Sequence, residues 1–207
     1  MPLRIIRGPD VPERMERVST GTWLDRVLGG GIPVGLTLVA LRTYTERQRT
    51  TMVLAVSLAS RGPVALVDCP RIAFRPQLAE AAESLGLELE AALKNLYILI
   101  PTTSEELRTA VQTIEVELRP TAVVVDSPDA VASPWELQGP LALLGRTAKK
   151  LSIPAVVTIT YRAKAPPVPM VSVADYIVVE ESSEEGGETT FAVRGLDIPL
   201  RRETVRL

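Results

Sequence analysis

Histidine is absent from this chain of 207 residues, and cysteine occurs only once, as Cys69. A Ser-His-Asp triad and a Cys/His metal site both need side chains that this sequence lacks. A single cysteine also excludes an intramolecular disulfide. We therefore expect no resident metal, and we interpret Cys69 as a small apolar residue of the core.

Long apolar runs are also missing. The longest, at 36–41, 122–125 and 153–160, fall well short of the about 18 residues that a membrane-spanning helix needs. The first residues, MPLRIIRGPDVPERMER, mix charges and prolines where a signal peptide needs a continuous apolar segment. These patterns predict a cytoplasmic protein without a membrane partner.

Positive and negative charges nearly balance, and the net charge is only −2. No global positive field draws the chain to nucleic acid, so any such contact needs a local basic surface. Arginine is abundant, with 19 arginines against 4 lysines, and amide side chains are few. This usage favours a thermophilic source.

Apolar runs of strand length recur along the chain, and segments with helical spacing separate them. This is the pattern of a parallel sheet covered by helices on both faces. The sequence therefore predicts an α/β fold with a mainly parallel central sheet. The predicted strands are residues 36–41, 64–68, 96–100, 122–126 and 154–160. The predicted helices are residues 51–61, 76–86, 88–95, 104–118 and roughly 137–151.

The C-terminal part has a different pattern. Residues 175–181 and 189–194 alternate around the polar turn SSEEGGE, which predicts an antiparallel hairpin at the sheet edge. Residues 197–207 are expected to add one more short strand. We predict an N-terminal extension, 1–17, and a single domain, 18–207.

Four stretches of the sequence resemble the RecA/RadA/KaiC family of ATPase cores. The first is STGTWLDRVLGGGIPVGLTLVAL at 19–41, where the family has Ser-Thr-Gly, Leu-Asp and Gly-Gly-Gly-Ile-Pro before its first core strand. The others are VALVDCPRIAFRP at 64–76, LKNLYILIPTTSEEL at 93–107 and AVVVDSPDAV at 122–131. The resemblance covers about residues 18–200, is strongest to the archaeal RadA/RadB recombinase paralogues, and implies a RecA-like core.

The phosphate-binding loop of that family, G-x-x-x-x-G-K-[ST], is degenerate here. The corresponding residues 42–51 read RTYTERQRTT, with no glycine and no lysine. Such a loop cradles phosphates with inward-pointing backbone N–H groups in conformations that glycine tolerates, while its Lys and hydroxyl meet the phosphates and Mg²⁺. The resemblance places Arg49 at the Lys position and Thr50 or Thr51 at the hydroxyl position.

The strand AVVVD at 122–126 has the form of a Walker B strand, whose terminal Asp holds Mg²⁺ in the family. A buried strand whose last Asp caps the next turn has the same sequence. We therefore predict that Arg49, Thr50, Thr51 and Asp126 form only a vestige of a nucleotide site.

Two further departures point the same way. The resemblance puts the family's catalytic Glu at Pro70, and the Thr-Asn-Gln that senses the γ-phosphate at 158–160, which read Thr-Ile-Thr. Proline cannot orient an attacking water. We predict a pseudo-ATPase with no catalytic residues and no required cofactor, and weak binding of ATP and Mg²⁺ remains the alternative.

Two surfaces are candidates for macromolecular contact. Tyr161, Arg162 and Lys164 lie where the family's second DNA-binding loop falls, and they combine an aromatic ring with two cations. A rigid, proline-bearing connector is the equal alternative. Trp135 lies at the family's first DNA loop, where an exposed ring would anchor a partner and a buried ring would belong to the core.

The leading hypothesis is a non-catalytic RecA/RadA-like paralogue that acts as an accessory or regulatory partner in homologous recombination and DNA repair. Its expected partner is a RadA-type recombinase, another RecA-fold paralogue or a second copy of the chain, with residues 130–139 and the altered loop near the contact. The alternatives are a KaiC-like or RadB-like nucleotide-binding regulatory ATPase with an unusual phosphate loop, and a stand-alone single-stranded DNA-binding protein.

Overall fold

The computed structural model describes residues 16–183, 188–196 and 198–206. Its strands are β1 (Arg17–Val18), β2 (Ile32–Pro33), β3 (Gly35–Leu41), β4 (Val64–Asp68), β5 (Leu96–Leu99), β6 (Ala122–Asp126), β7 (Pro154–Thr160), β8 (Tyr176–Ser183), β9 (Glu188–Gly195) and β10 (Arg201–Arg206). Its α-helices are α1 (Trp23–Leu28), α2 (Tyr44–Ala59), α3 (Arg75–Ser84), α4 (Leu89–Leu93), α5 (Ser104–Thr113), α6 (Pro134–Leu151) and α7 (Val168–Val171). A π-helical turn, Ile114–Leu118, continues α5, and a 3₁₀ turn, Pro128–Ala130, follows β6.

Eight of the described strands form one sheet in the order β10-β9-β8-β3-β7-β6-β4-β5. All neighbours from β8 to β5 are parallel, whereas β9 runs antiparallel to both β8 and β10. The predicted α/β class, the C-terminal hairpin and the extra final strand are therefore confirmed. Residues 184–187 of the predicted turn lie outside the described residues.

The central strands are mostly apolar because both faces of the sheet are buried. Along β4, Leu66 faces one core cluster and Val67 faces the other, as successive side chains of a strand point to opposite faces. Helices α2 and α3 cover the first face, and α5 and α6 cover the second. This two-sided burial explains why residue type alone identified the strands.

The N-terminus of the helix that follows β3 differs from the prediction. The predicted helix began at residue 51, after a loop, whereas α2 begins at Tyr44. Thr43 is its N-cap, and the Thr43 side chain accepts a hydrogen bond from the backbone N–H of Glu46 at 3.2 Å. A threonine cap without any glycine lets the helix start at once, so only Arg42 and Thr43 connect β3 to α2.

The carboxyl ends of β3, β4, β6 and β7 lie at one edge of the sheet, where ligands bind in open parallel sheets. No helix within the described residues is long and apolar enough to span a membrane. The predicted N-terminal extension lies outside the described residues up to residue 15, so its boundary stays a prediction.

Candidate functional site at the carboxyl ends of the strands

Asp126 ends β6 and lies opposite Thr158 of β7 and Asp68 of β4. Asp68 caps the following loop, since its carboxylate accepts the backbone N–H groups of Ile72 at 3.1 Å and Ala73 at 2.7 Å. Asp126 instead accepts hydrogen bonds from side chains, and it is 0% exposed. Burial raises the pKa of Asp126, and neighbouring Arg47 offsets part of that rise.

Arg47 is the direct partner of Asp126. Its Nη1 donates a hydrogen bond to Asp126 Oδ1, and the two side chains form an ion pair with exposed fractions of 1% and 0%. The Arg47 guanidinium also lies over the Tyr44 ring, with Cζ 4.7 Å from the ring centroid. Arg47 therefore has both a carboxylate and an aromatic ring as neighbours, and both stabilise a buried guanidinium.

Two hydroxyl groups complete this cluster. Thr51, one helical turn after Arg47, places Oγ1 3.2 Å from Asp126 Oδ1. Thr158 Oγ1 lies 2.7 Å from Thr51 Oγ1 and 3.2 Å from Asp126 Oδ1. Three elements, α2, β6 and β7, thus meet at a single carboxylate oxygen.

The predicted vestigial site is only half assembled. Thr51 and Asp126 come together, but Arg49 is exposed and lines a groove of about 250 Å³ between α2 and α3. Thr50 is buried against a second depression beside Trp23. The structure therefore places Arg49 and Thr50 away from Asp126, and Arg47 is the basic residue that faces this carboxylate.

Mg²⁺ and nucleotide phosphates, which the resemblance implies, do not fit the residues as placed. The carboxylate oxygen that a metal would share with the Thr51 hydroxyl is held by Arg47. The backbone N–H groups that a phosphate loop would turn inward belong to a regular helix from Tyr44 onward. The arrangement is that of a closed ion pair.

An open depression of about 380 Å³ lies beside the ion pair, and Tyr44, Arg47 and Pro70 are among the residues that line it. Asp129 lies in the same depression, where partial desolvation of its carboxylate raises its pKa. The sequence reasoning did not single out Asp129, although it follows Asp126 by three residues at the same sheet edge. Pro70 and Asp129 both line this depression, and Asp129 is the carboxylate among its lining residues.

Tyr161 belongs to the core. Its side chain is 5% exposed, its hydroxyl donates to the backbone oxygen of Glu180, and Arg42 covers the ring at 4.3 Å. The ring is therefore not presented for base stacking. Arg162 and Lys164 are exposed on the following loop, as a phosphate contact requires.

Trp135 and Cys69 have opposite environments. Trp135, in the first turn of α6, is 73% exposed, so the alternative of a core position is excluded. Cys69 is buried, and burial together with the charge of Asp126 raises the pKa of its thiol to about 12. This supports the interpretation of Cys69 as a structural residue.

The sheet order, the helices on both faces and a carboxylate at the end of a central strand define the chain as a RecA-like core. Comparison with known proteins identifies the group within this class. The chain is 37% identical over 153 residues to the DNA repair and recombination protein RadB of Thermococcus onnurineus, a match that covers 68% of this chain and 67% of that protein. The chain belongs to the RadB family.

Two other relatives match over a shorter span. RadB of Pyrococcus furiosus is 35% identical over 116 residues, covering 54% of this chain and 51% of that protein. RadB of Thermococcus kodakarensis is 35% identical over 114 residues, covering 53% and 51%. The chain thus aligns with about half the length of these two relatives. No protein-family profile matches the chain.

Proposed function

We propose that this chain is a non-catalytic member of the RadB family that serves DNA repair and recombination by binding a partner protein. The observation that carries the proposal is the Arg47–Asp126 ion pair at the head of a helix that begins without a glycine loop. The names of the relatives, which are DNA repair and recombination proteins, supply the process.

Phosphoryl transfer in this fold depends on positioning and on charge stabilisation. It needs a backbone cradle, a cation on the β- and γ-phosphates, a metal held by a hydroxyl and a carboxylate, and a group that orients water. Here the cradle is replaced by helix and the carboxylate is held by Arg47. Asp129 alone does not compensate, since the loss of a single preorganised donor typically costs about 10²–10³ in rate.

The edge strand β5 offers a surface for a partner. One side of β5 pairs with β4, and the other side pairs with no described strand. Its neighbourhood exposes three apolar side chains: Tyr97 at 45%, Ile98 at 40% and Ile100 at 52%. An apolar, unpaired edge is a template for strand addition by another chain. The proposed partner is a RecA-fold recombinase, another paralogue or a second copy.

The proposal is tested on the purified protein by two measurements. Phosphate release from ATP is expected to stay at background, with and without single-stranded DNA, and an Asp126→Asn variant is expected to behave identically. Capture of a recombinase from cell extract is expected for the wild type and is expected to weaken for Ile98→Lys, which puts a charge on the open edge. ATP turnover that disappears in the Asp126→Asn variant would disprove the non-catalytic proposal.

Direct binding of single-stranded DNA is a second candidate, because Arg162 and Lys164 are both exposed on one loop. If these two cations contact phosphates, the affinity for single-stranded DNA falls as the salt concentration rises. The slope of log affinity against log salt concentration is then expected to be smaller for an Arg162→Ala, Lys164→Ala double variant. Fluorescence anisotropy with a labelled oligonucleotide at several salt concentrations measures that slope.

A further inference from the structure

The oxygen atoms around Arg47 resemble the ligand set of a hard cation. Asp126 Oδ1, Thr51 Oγ1 and Thr158 Oγ1 come from three different elements, and their separations are between 2.7 and 3.2 Å. Carboxylate and hydroxyl oxygens are the ligands that Mg²⁺ and Mn²⁺ prefer over nitrogen or sulfur. In this structure the positive charge beside these oxygens is a guanidinium.

The guanidinium does not use this carboxylate as a dedicated arginine partner would. Arginine and a carboxylate commonly form two parallel hydrogen bonds, whereas Arg47 reaches Asp126 through Nη1 and Oδ1 only. Asp126 Oδ2 and Arg47 Nε are both buried without a hydrogen-bond partner among the described residues. Asp126 Oδ1 is therefore shared by Arg47 and the two threonine hydroxyls, and the second oxygen of the carboxylate takes no part in an arginine fork.

An aromatic ring also contacts Arg47. The Tyr44 ring lies over the guanidinium, and Tyr44 itself is 50% exposed at the wall of the open depression. Arg47 joins α2 to Asp126 of β6, and the same Asp126 oxygen accepts a hydrogen bond from Thr158 of β7. A bound metal would otherwise link these elements. The charge that neutralises Asp126 is thus part of the chain.

We propose that Arg47 is a built-in replacement for a divalent cation and that it masks a latent metal site formed by Asp126, Thr51 and Thr158. This inference rests on the proposed function, in which the same site holds no nucleotide. It adds a specific role for Arg47: the residue keeps α2 joined to Asp126 of β6 with no dependence on metal or ATP. Removal of the guanidinium then opens the oxygen set to Mn²⁺.

The test is a titration of Mn²⁺ into the full chain. Electron paramagnetic resonance of the free ion measures binding, and thermal unfolding measures the Tm at each Mn²⁺ concentration. The wild type is expected to bind no Mn²⁺ at this site and to show a constant Tm. Arg47→Ala is expected to unfold at a lower temperature, to bind one Mn²⁺ per chain at millimolar concentration and to recover part of its Tm. Adding Asp126→Asn to that variant is expected to abolish both effects.

Arg47→Gln keeps most of the side-chain volume and removes the charge, so it serves as the second variant if Arg47→Ala does not fold. Arg47→Lys keeps a cation and is expected to leave the site masked. Binding of Mn²⁺ by the wild type at Asp126, or no Mn²⁺ binding by either neutral variant once folded, would overturn the inference. Titration of the wild type with Mg²⁺-ATP tests the proposed function separately. Nucleotide binding at this site would contradict the proposed function, whether or not the Arg47 variants bind Mn²⁺.

Discussion

Asp126→Ala tests how strongly the buried ion pair holds the fold. The substitution leaves the Arg47 guanidinium, 1% exposed in the wild type, without its carboxylate. The hydroxyls of Thr51 and Thr158 remain satisfied, since they lie 2.7 Å from each other. The expected cost is therefore that of one uncompensated buried charge.

Removing one partner of a buried ion pair typically costs about 3–5 kcal/mol. We expect a loss near the lower limit, about 3 kcal/mol, because Arg47 lines the open depression and can turn toward solvent once released. For a domain of this size, about 3 kcal/mol corresponds to a fall in Tm of about 6–12 °C. Replacing both residues, as Arg47→Met with Asp126→Leu, is expected to be close to neutral or stabilising.

Urea unfolding followed by circular dichroism measures these differences in the free energy of unfolding. Glu90→Ala is the matched control, because it removes the carboxylate of the Arg75–Glu90 pair, whose side chains are 64% and 68% exposed. That control is expected to cost less than about 1 kcal/mol. The reasoning is refuted if Asp126→Ala is no more destabilising than Glu90→Ala.

Three further outcomes are expected. Cys69, with a pKa of about 12, is expected to react with a thiol reagent at pH 8 only when the chain unfolds, as kinetics in urea will show. Hydrogen bonds from Ser133 hold the pKa of Glu136 below its ordinary value of 4.5. The ionised Glu136 side chain therefore stabilises the fold above pH 4.5, and this stabilisation is lost as the pH falls through the folded-state pKa. Acid titration of stability is expected to be flatter for Glu136→Gln. The sequence also predicts a partner contact near residues 130–139. For that contact, Trp135→Ala is expected to weaken partner binding by about 2 kcal/mol, roughly 30-fold, in a surface binding assay, whereas Val116→Ala, exposed to a similar extent, leaves it unchanged.

The sheet was predictable because burial on both faces makes each central strand mostly apolar. The runs at 64–68, 122–126 and 154–160 agree with β4, β6 and β7 at both ends. The alternation of these strands with helices then predicts a parallel sheet. That prediction requires no knowledge of side-chain contacts.

The start of α2 was mispredicted because the resemblance imposed a loop where the local sequence favours a helix. Thr43 followed three residues later by Glu46 is a helix-capping signal, and the structure uses Thr43 as the N-cap. The start of α2 also determines which arginine faces Asp126. Two residues along a helix correspond to a rotation of about 200°, so Arg49 faces outward when Arg47 faces Asp126.

Exposure was the property that the sequence could not settle for the two aromatic candidates. Tyr161 packs into the core because Arg42 and Glu180, which are distant in sequence, supply its cation and its hydrogen-bond acceptor. Trp135, in the first turn of α6, is exposed because no other described element covers it. Both outcomes depend on tertiary contacts rather than on local pattern.

The central claim is that this site holds an internal ion pair in place of Mg²⁺-nucleotide. Isothermal titration of Mg²⁺-ATP into the wild-type protein tests it most directly, with Asp126→Asn, verified as folded by circular dichroism, as the control. The account predicts no saturable heat for either protein. Saturable binding by the wild type that ADP competes away and that Asp126→Asn removes would contradict it.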